Sequence, residues 1–306
     1  MAIFLQPQRT VLPLDASGRE LLEYPHPAFP CFMEIADLNR YVEVPWHWHE
    51  VVELCLVREG AIDFHAGGET RRLCSGMGCF LNRSVLHSVQ VVPGASALTA
   101  AIQFSPELFT CGAASALYRQ LAAPVLDHPG LGCLWLDPSV SWQGALLDRI
   151  RAVLSFPDTA GQELLITAHL AEIWHLLLNH AMPQRPLPQA DLQAARRVKA
   201  MMRLIHARYA EPLTLAQIAA AASVSPRECT RCFRRVTGGS PVAYLIAFRV
   251  SMAAALLEST DAPVTEIALQ TGFNNPSYFA RAFARQLGLT PRGFRAARCQ
   301  GGAQKL

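Results

Sequence analysis

Residues 214–241 read TLAQIAAAASVSPRECTRCFRRVTGGSP, and residues 263–291 read PVTEIALQTGFNNPSYFARAFARQLGLTP. The second stretch says nearly the same thing as the first. Ile218-Ala219 aligns with Ile267-Ala268, Phe233 with Phe283, and Ser240-Pro241 with Thr290-Pro291, at a spacing of 49 residues early and 50 later. One residue is therefore added at the central turn. A fixed internal period marks a repeated structural unit. Each copy predicts a helix of about 8 residues, a turn of about 3–4 and a second helix of about 11, the proportions of a helix-turn-helix. The expected units run from about 214 to 236 and from 263 to 287.

The helix starts carry the physical signal. Ser225-Pro226-Arg227-Glu228 places a capping hydroxyl, then a proline with no N–H to lose, then a carboxylate able to reach back to the cap. Asn275-Pro276, Ser240-Pro241 and Thr290-Pro291 repeat the cap-then-proline pattern, and Thr214 with Gln217 forms a capping box. On each second helix the apolar and basic residues separate. Cys229 with Phe233, and Phe279 with Phe283, are i, i+4 pairs that face inward. Arg227, Thr230, Arg231 and Arg234 share the other side of the first, and Ser277, Tyr278, Arg281 and Arg285 that of the second. With Asn275, these are the expected DNA contacts, because the arginine fork suits guanine or phosphate. A solvated basic face is the alternative for any single helix. Repetition with matching caps and turns argues against it.

From about 190 to 298 the chain resembles the DNA-binding domain of the AraC/XylS family of bacterial transcription regulators. The pieces that carry the resemblance are LTLAQIA, VSPRECTRCFRR, the bridging stretch YLIAFRVSMAAALLEST, and VTEIALQTGFNNPSYFARAFARQLGLTPRGFR. Gly272-Phe273 with SYFARAF is the most specific of them. Cys229 departs from the pattern by standing where a larger aliphatic is usual. The resemblance implies two helix-turn-helix units joined by a rigid helix and entering successive major grooves. It also implies an activator that contacts RNA polymerase. The bridging helix, from Pro241 to about Ser259, would be roughly 28 Å long, near the pitch between successive major grooves.

Charge supports a double-stranded DNA partner. Residues 189–306 hold 16 Lys+Arg and 6 Asp+Glu, net +10, while residues 1–188 hold 11 and 18, net −7. The basic half supplies the salt-dependent phosphate attraction. No run of about 18 apolar residues is evident, so no membrane span is expected. MAIFLQPQRT has no basic region followed by an apolar block, so no signal peptide is expected. Nine irregularly spaced cysteines suit free thiols in a reducing cytoplasm. Cys229 and Cys232 form a lone CxxC with no second ligand pair, and packing is its plain reading.

Residues 181–190, AMPQRPLPQA, hold three prolines and no apolar period, and read as a linker. The linker separates a sensing and dimerisation domain, 1–180, from a DNA-binding domain, 191–298, with a tail at 299–306. Asp191 is expected to cap the helix that follows. Short β-rich runs, VVELCLV, AIDF, CFLN, SVQVV and LTAAIQF, fill residues 41–104, punctuated by glycines at 60, 67, 68, 76, 78 and 94. They predict a small antiparallel barrel or sandwich, with a hairpin at Ala66-Gly67-Gly68. Helical spacing returns at 141–180, with Trp142, Leu146, Ile150 and Leu154 on one stripe and Leu164, Ala168, Ala171 and His175 near another. ITAHLAEIWHLLLN is apolar over more of its circumference than one sheet needs, so a homodimer is expected. The fold class is thus α+β in two domains: a cupin-like antiparallel β-barrel followed by helices, then an all-α domain with two helix-turn-helix motifs and a linker helix.

PWHWHEVVELCLVREG (residues 45–60) resembles the first cupin motif, with His47, His49, Glu53 and Gly60 in register. The second motif is weaker. His87 has a place, but Val85 or Leu86 replaces its preceding glycine, and Met77 stands where Asp is common. Alternation puts His47 and His49 on one strand face, with Glu53 following if the strand stays regular. His47, His49, Glu53 and His87 suit a divalent transition metal. They suit equally a small-molecule effector or a hydrogen-bonded network. Trp46, Trp48, Phe64 and Phe80 are candidate pocket walls, with core packing as the alternative. Two functions follow. The first is a DNA-binding transcription regulator, not an enzyme, whose barrel senses a small molecule. The second is a metal-dependent cupin enzyme fused to a DNA-binding domain.

Overall fold

The structure is a computed structural model. It describes residues 5–6, 12–15, 18–25, 29–38, 43–92, 95–157, 159–181 and 189–302, without the side chains of 5–6, 43 and 297–302. Most of the linker at 181–190, the tail from 303, Gly94 and parts of the segment before residue 40 lie outside the described residues. Two compact units are present: Met1–Arg9 with Glu20–Arg40 and Trp48–Gln189, and Thr10–Arg19 with Tyr41–His47 and Ala190–Leu306.

In the first unit the strands are β1 (Leu5–Gln6), β2 (Cys31–Asp37), β4 (Val52–Ala66), β5 (Glu69–Cys74), β6 (Gly78–Leu81), β7 (His87–Val91), β8 (Ala97–Phe104) and β9 (Cys133–Leu136). β3 (Glu43–His47) falls in the other unit. The sheet runs β1-β2-β8-β4-β6-β9, with β5 and β7 also paired to β4. β1 and β2 are parallel, and the other pairs in this order are antiparallel. VVELCLV and AIDF, expected as separate strands, are one strand, β4, of 15 residues. A register shift between Val57 and Glu59 bends it. Its first half pairs with β6 and β8, its second with β5 and β7. Gly60 is thus not a turn but part of this bend. Its φ is +75°, and a Cβ there would lie 1.6 Å from Ser96 O. Gly67 and Gly68, at φ +61° and +85°, form the expected hairpin between β4 and β5. Two positive φ values match the strand twist, and glycine adopts them without strain.

Alternation along β4 sorts its faces. Val52, Leu54 and Leu56 join Phe80, Ile102 and Phe104 in the apolar core, and Glu53 is carried on the other face. The helices α3 (Ser141–Ser155) and α4 (Glu163–His180) cover that core with Leu146, Leu147, Ile150, Ile166, Leu170, Ile173 and Trp174. Trp174 meets Phe80 and Phe104 edge-on, each at 6.3 Å, and its indole N–H donates to Leu121 O at 2.8 Å. Phe80 therefore packs in the helix-covered core and is not a pocket wall. Two short helices, α1 (Glu107–Thr110) and α2 (Ala123–Leu126), complete this unit.

The second unit holds α5 (Gln189–Arg208), α6 (Leu215–Ala220), α7 (Pro226–Thr237), α8 (Pro241–Ser259), α9 (Val264–Gln270), α10 (Pro276–Leu287) and α11 (Pro291–Gly302). The caps form as the sequence dictates. Thr214 and Gln217 make a full capping box, and Ser225, Ser240 and Asn275 accept from the first turns of α7, α8 and α10. Two expectations change. Glu228 does not reach back to Ser225; it pairs with Arg197 at 2.9 Å and Arg231 at 2.8 Å, the stronger pull of two guanidinium groups. Asp191 lies within the first turn of α5, because that helix begins at Gln189, and it pairs with Arg235.

The two central turns are built alike. Val224 N–H donates to Ala219 O at 3.2 Å, and Phe273 N–H donates to Ala268 O at 2.9 Å. A left-handed residue precedes each, Ser223 at φ +53° and Gly272 at φ +82°. This is the usual helix stop. Asn274 is then the added residue of the second copy. Gly272 is required twice over, since a Cβ would also meet Tyr209 O at 2.8 Å. The first core buries Ile218, Cys229 and Phe233, with Cys229 Sγ 3.6 Å from Met201 Sδ and Phe233 5.8 Å from Tyr244. Burial pushes the Cys229 thiol up to about 11, consistent with packing rather than reactivity. The second core joins Val250, Ala253 and Leu257 of α8 to Ile267, Phe273, Phe279 and Phe283.

α8 corrects the reading of apolar runs. It is 19 residues long with a mean hydropathy of 1.5, enough by length and composition to cross a membrane. Its apolarity has a local cause. Its N-terminal half packs on the first core through Tyr244, and its C-terminal half fills the second.

Phe283 is fully buried at the centre of the second core. Phe283→Ala is expected to destabilise the helical unit by about 3–5 kcal/mol. Urea unfolding of the full chain measures this, and an unchanged helical transition would refute the packing role.

Candidate DNA-reading helices and sensor cluster

The capped geometry of α7 and α10 decides what each presents outward. On α7, Arg227, Arg231 and Arg234 are exposed, while Cys229, Cys232 and Phe233 are buried. Thr230 is half-buried and donates to Pro226 O at 3.0 Å, which leaves its oxygen able to accept. On α10, Ser277, Tyr278, Arg281 and Arg285 are exposed over buried Phe279, Ala282 and Phe283. Asn275 is spent differently from expectation. Its Oδ1 accepts from Ser277 N at 2.9 Å and Tyr278 N at 3.0 Å, so only its amide N–H groups can face a partner.

The two basic faces are not electrostatically equal. Arg231 is 76% exposed yet paired with Glu228, and the neighbouring Arg235 is paired with Asp191. Glu228 is held below the usual carboxylate range, first by its hydrogen bond from Arg231 and then by Arg231 and Arg197 charge. Among the described residues, Arg281 and Arg285 have no such carboxylate. Exposed pairs of this kind are worth about 0–1 kcal/mol, so DNA phosphates can displace Glu228 from Arg231.

In the first unit, β4 and β8 set Glu53 directly opposite Gln103. Gln103 Nε2 donates to Glu53 Oε2 at 2.9 Å and to Glu20 Oε2 at 2.8 Å. His49 Nε2 lies 3.0 Å from Glu53 Oε2, and His87 Nε2 lies 3.8 Å from it. All five side chains are buried. Phe64 stacks on His87 at 5.9 Å. The amide nitrogen of Gln103 must face the two carboxylates, so Oε1 faces away, and this buried oxygen accepts no hydrogen bond from a described residue. Gln103 and Glu20 were not found from sequence. A glutamine closing the apolar run LTAAIQF opposite Glu53 was the one available signal.

The expected strand through His47, His49 and Glu53 is interrupted. β3 stops at His47 and β4 starts at Val52. Between them, Trp48 O accepts from Glu20 N and His49 O from Ser84 N, so the backbone turns away from strand pairing. Trp48 is half-buried. Trp46 and His47 are buried and belong to the second unit, where His47 Nδ1 bonds Pro45 O at 2.8 Å.

His49 Nδ1 donates to Val51 O and His87 Nδ1 to Val85 O, which turns both Nε2 atoms toward Glu53. A carbonyl-held Nδ1–H is the tautomer a metal-binding histidine uses. The carboxylate, however, already accepts from Gln103 and His49, so the donor set is equally complete as a hydrogen-bond network. Burial drives the His49 pKa down, but the hydrogen bond and charge of Glu53, with Glu20 charge, outweigh it, and the net shift is up. The shift is toward the imidazolium, the form that donates at both nitrogens.

Residues 218–297 match a helix-turn-helix domain family, and residues 35–173 match the AraC-like ligand binding domain family. The chain is 28% identical over 286 residues to the uncharacterized HTH-type transcriptional regulator YdeC of Bacillus subtilis, covering 92% of this chain and 97% of that protein. It is 27% identical over 254 residues to the HTH-type transcriptional activator RhaS of Escherichia fergusonii, covering 83% and 88%. The DNA-binding domain of AdpA, solved in complex with a target DNA, is 36% identical and covers 37% of this chain and 97% of that one, with a TM-score of 0.32. The chain belongs to the AraC family. It is a DNA-binding transcription regulator with an N-terminal ligand-binding domain.

The raised His49 pKa sets a pH dependence. Its contribution to stability is fully present below the unfolded value, about 6.5, and is lost as pH rises through the higher folded value. In Glu53→Gln that contribution disappears, at a cost of about 3–5 kcal/mol for breaking a buried pair. The wild-type advantage in urea midpoint is therefore expected to be largest below about pH 6.5 and to shrink above it. A gap that stays constant with pH would mean that His49 is not charged in the fold.

Proposed function

We propose that α7 and α10 enter successive major grooves and read bases through Arg227, Thr230, Arg231, Arg234, Ser277, Tyr278, Arg281 and Arg285, with Asn275 contributing its amide N–H groups. The observation that carries this reading is the pair of capped helices, each with arginines outward over a phenylalanine core. α8, about 28 Å long, approaches the groove-to-groove pitch of about 34 Å. The proposed domains are 1–180 for sensing and dimerisation, 181–190 as linker and 191–298 for DNA. The name of RhaS supports activation, and activation requires contact with RNA polymerase. The proposed location is the cytoplasm, where DNA is present and thiols such as the buried Cys31, Cys55 and Cys79 stay reduced.

The sensor cluster of Glu20, His49, Glu53, His87 and Gln103 is proposed to hold a small polar effector rich in hydrogen-bond donors. The acceptor oxygens of Glu20, Glu53 and Gln103 favour that chemistry over an anion. The cluster has no nucleophile beside its carboxylates, so turnover is not part of this reading. Effector binding shifts the population of DNA-competent arrangements.

The second copy is proposed to dock on α4. Leu164 is 77% and Leu165 48% exposed at its start, and Ala168 and His175 continue the uncovered stripe. Leu164→Glu with Leu165→Glu is expected to give monomers in analytical ultracentrifugation where the parent gives dimers. A parent that is monomeric at every concentration would rule out the docking.

Arg281→Ala is expected to cost about 1–3 kcal/mol of specific binding and to relax preference at one or two positions. Arg231→Ala should cost less, because Glu228 competes for that guanidinium. Selection of bound sequences from a random duplex pool, followed by affinity measurement, tests both. An equal loss on every sequence would reduce these arginines to phosphate contacts.

A further inference from the structure

The second reader carries a basic cleft that the reading of α7 and α10 leaves unused. It has a volume of about 480 Å³ and is lined by Pro263, Val264, Thr265, Arg292, Arg295 and Ala296. It lies where the start of α9 meets the start of α11. Arg292 and Thr265 are exposed. Among the described residues, neither Arg292 nor Arg295 has an ion pair, and no lining residue is acidic. Arg295 Nη2 donates to Ala262 O at 2.6 Å, which fixes the guanidinium in the wall. Its Nε is buried with no acceptor among the described residues. Two cations, one of them with an unsatisfied Nε, and one hydroxyl thus line one opening.

The repeat supplies an internal control. At the 50-residue period, Arg292 and Arg295 align with Val242 and Leu245 of the first reader, and at the 49-residue period Thr265 aligns with Ala216. Val242 is 46% exposed and Leu245 is buried. The first copy builds the same turn and a likewise capped second helix with apolar residues at all three positions. The fold of a reader therefore does not need these arginines or this threonine.

We propose that this cleft grips a phosphodiester of the DNA backbone beside the groove read by α10. The inference rests on α10 docking in the major groove, as argued above. In that geometry the first helix of the unit, here α9, crosses the backbone. Arginine and threonine side chains are the usual donors to phosphate, and such contacts fix register without reading sequence. The second reader is then the one that anchors the protein on any sequence.

Binding of the full chain to a fluorescent mixed-sequence duplex, titrated between about 50 and 200 mM salt, tests this, because each phosphate contact contributes about 0.9 to the slope of log affinity against log salt. Arg292→Gln is expected to lower that slope by about 0.9, with an equal loss on every sequence and an unchanged thermal midpoint. Arg292→Lys should keep the slope, and Thr265→Asp should weaken binding further. A wild-type slope in Arg292→Gln overturns the proposal. Arg281→Ala, run alongside on a selected site, separates the two ideas. If it weakens binding and Arg292→Gln does not, the cleft is wrong and the docking stands. If neither has an effect, the docking of α10 has failed as well.

Discussion

One helix has to serve two cores, and the rest of the DNA-binding unit depends on that constraint. α8 offers Tyr244 to the first core and Val250, Ala253 and Leu257 to the second. A helix is rigid over this length, so burying both ends fixes the distance and the rotation between the readers. Arg249 reinforces it from the middle. Its Nε donates to Tyr209 O and its Nη2 to Glu211 O, both at 2.7 Å, and it lies over the Phe273 ring. Burial pulls the pKa of this arginine below its ordinary value. The link from packing to function is therefore geometric: α7 and α10 keep one spacing because their cores share a wall.

The helical half was legible in the sequence because its signals are local. A hydroxyl or amide before Pro226, Pro241 and Pro276, and an aromatic four residues from its partner, specify helix start and inward face within one turn. What the sequence could not show there was competition. Glu228 had a plausible local partner in the Ser225 backbone and instead took two arginines, one of them on α5. The sheet half was less legible because its decisive contacts are non-local. Gly60 reads as a turn residue, yet the strand runs through it, since Ser96, just before β8, must approach closely. His49 and Glu53 were marked by the resemblance of residues 45–60 to the first cupin motif. Gln103, which completes the pair, is 50 residues from Glu53 and was visible only once β4 lay against β8, and Glu20 joins through Gln103 from 83 residues away.

That completion changes the chemistry of the sensor. A second buried carboxyl beside the His49–Glu53 pair adds acceptors that need donors, and Gln103 donates to both carboxyl groups. Each group restricts the others. Gln103 cannot rotate without facing its carbonyl toward two carboxyl oxygens. A ligand entering such a site meets fixed dipoles rather than adaptable ones, which favours discrimination by hydrogen-bond pattern over discrimination by size.

The two readers also divide labour by charge. In the first, Glu228 and Asp191 already hold Arg231 and Arg235, so part of its positive field is spent within the protein. In the second, Arg281, Arg285 and Arg292 face outward with no carboxylate partner among the described residues. Attraction to DNA acts first on unpaired charge, since paired charge must be released before it contributes. The second reader should then dominate encounter and sequence-independent hold. The first contributes most where a correct base offers Arg231 a better partner than Glu228. A carboxylate competing with the wrong base, but losing to the right one, is a means of discrimination that repulsion supplies and attraction alone does not.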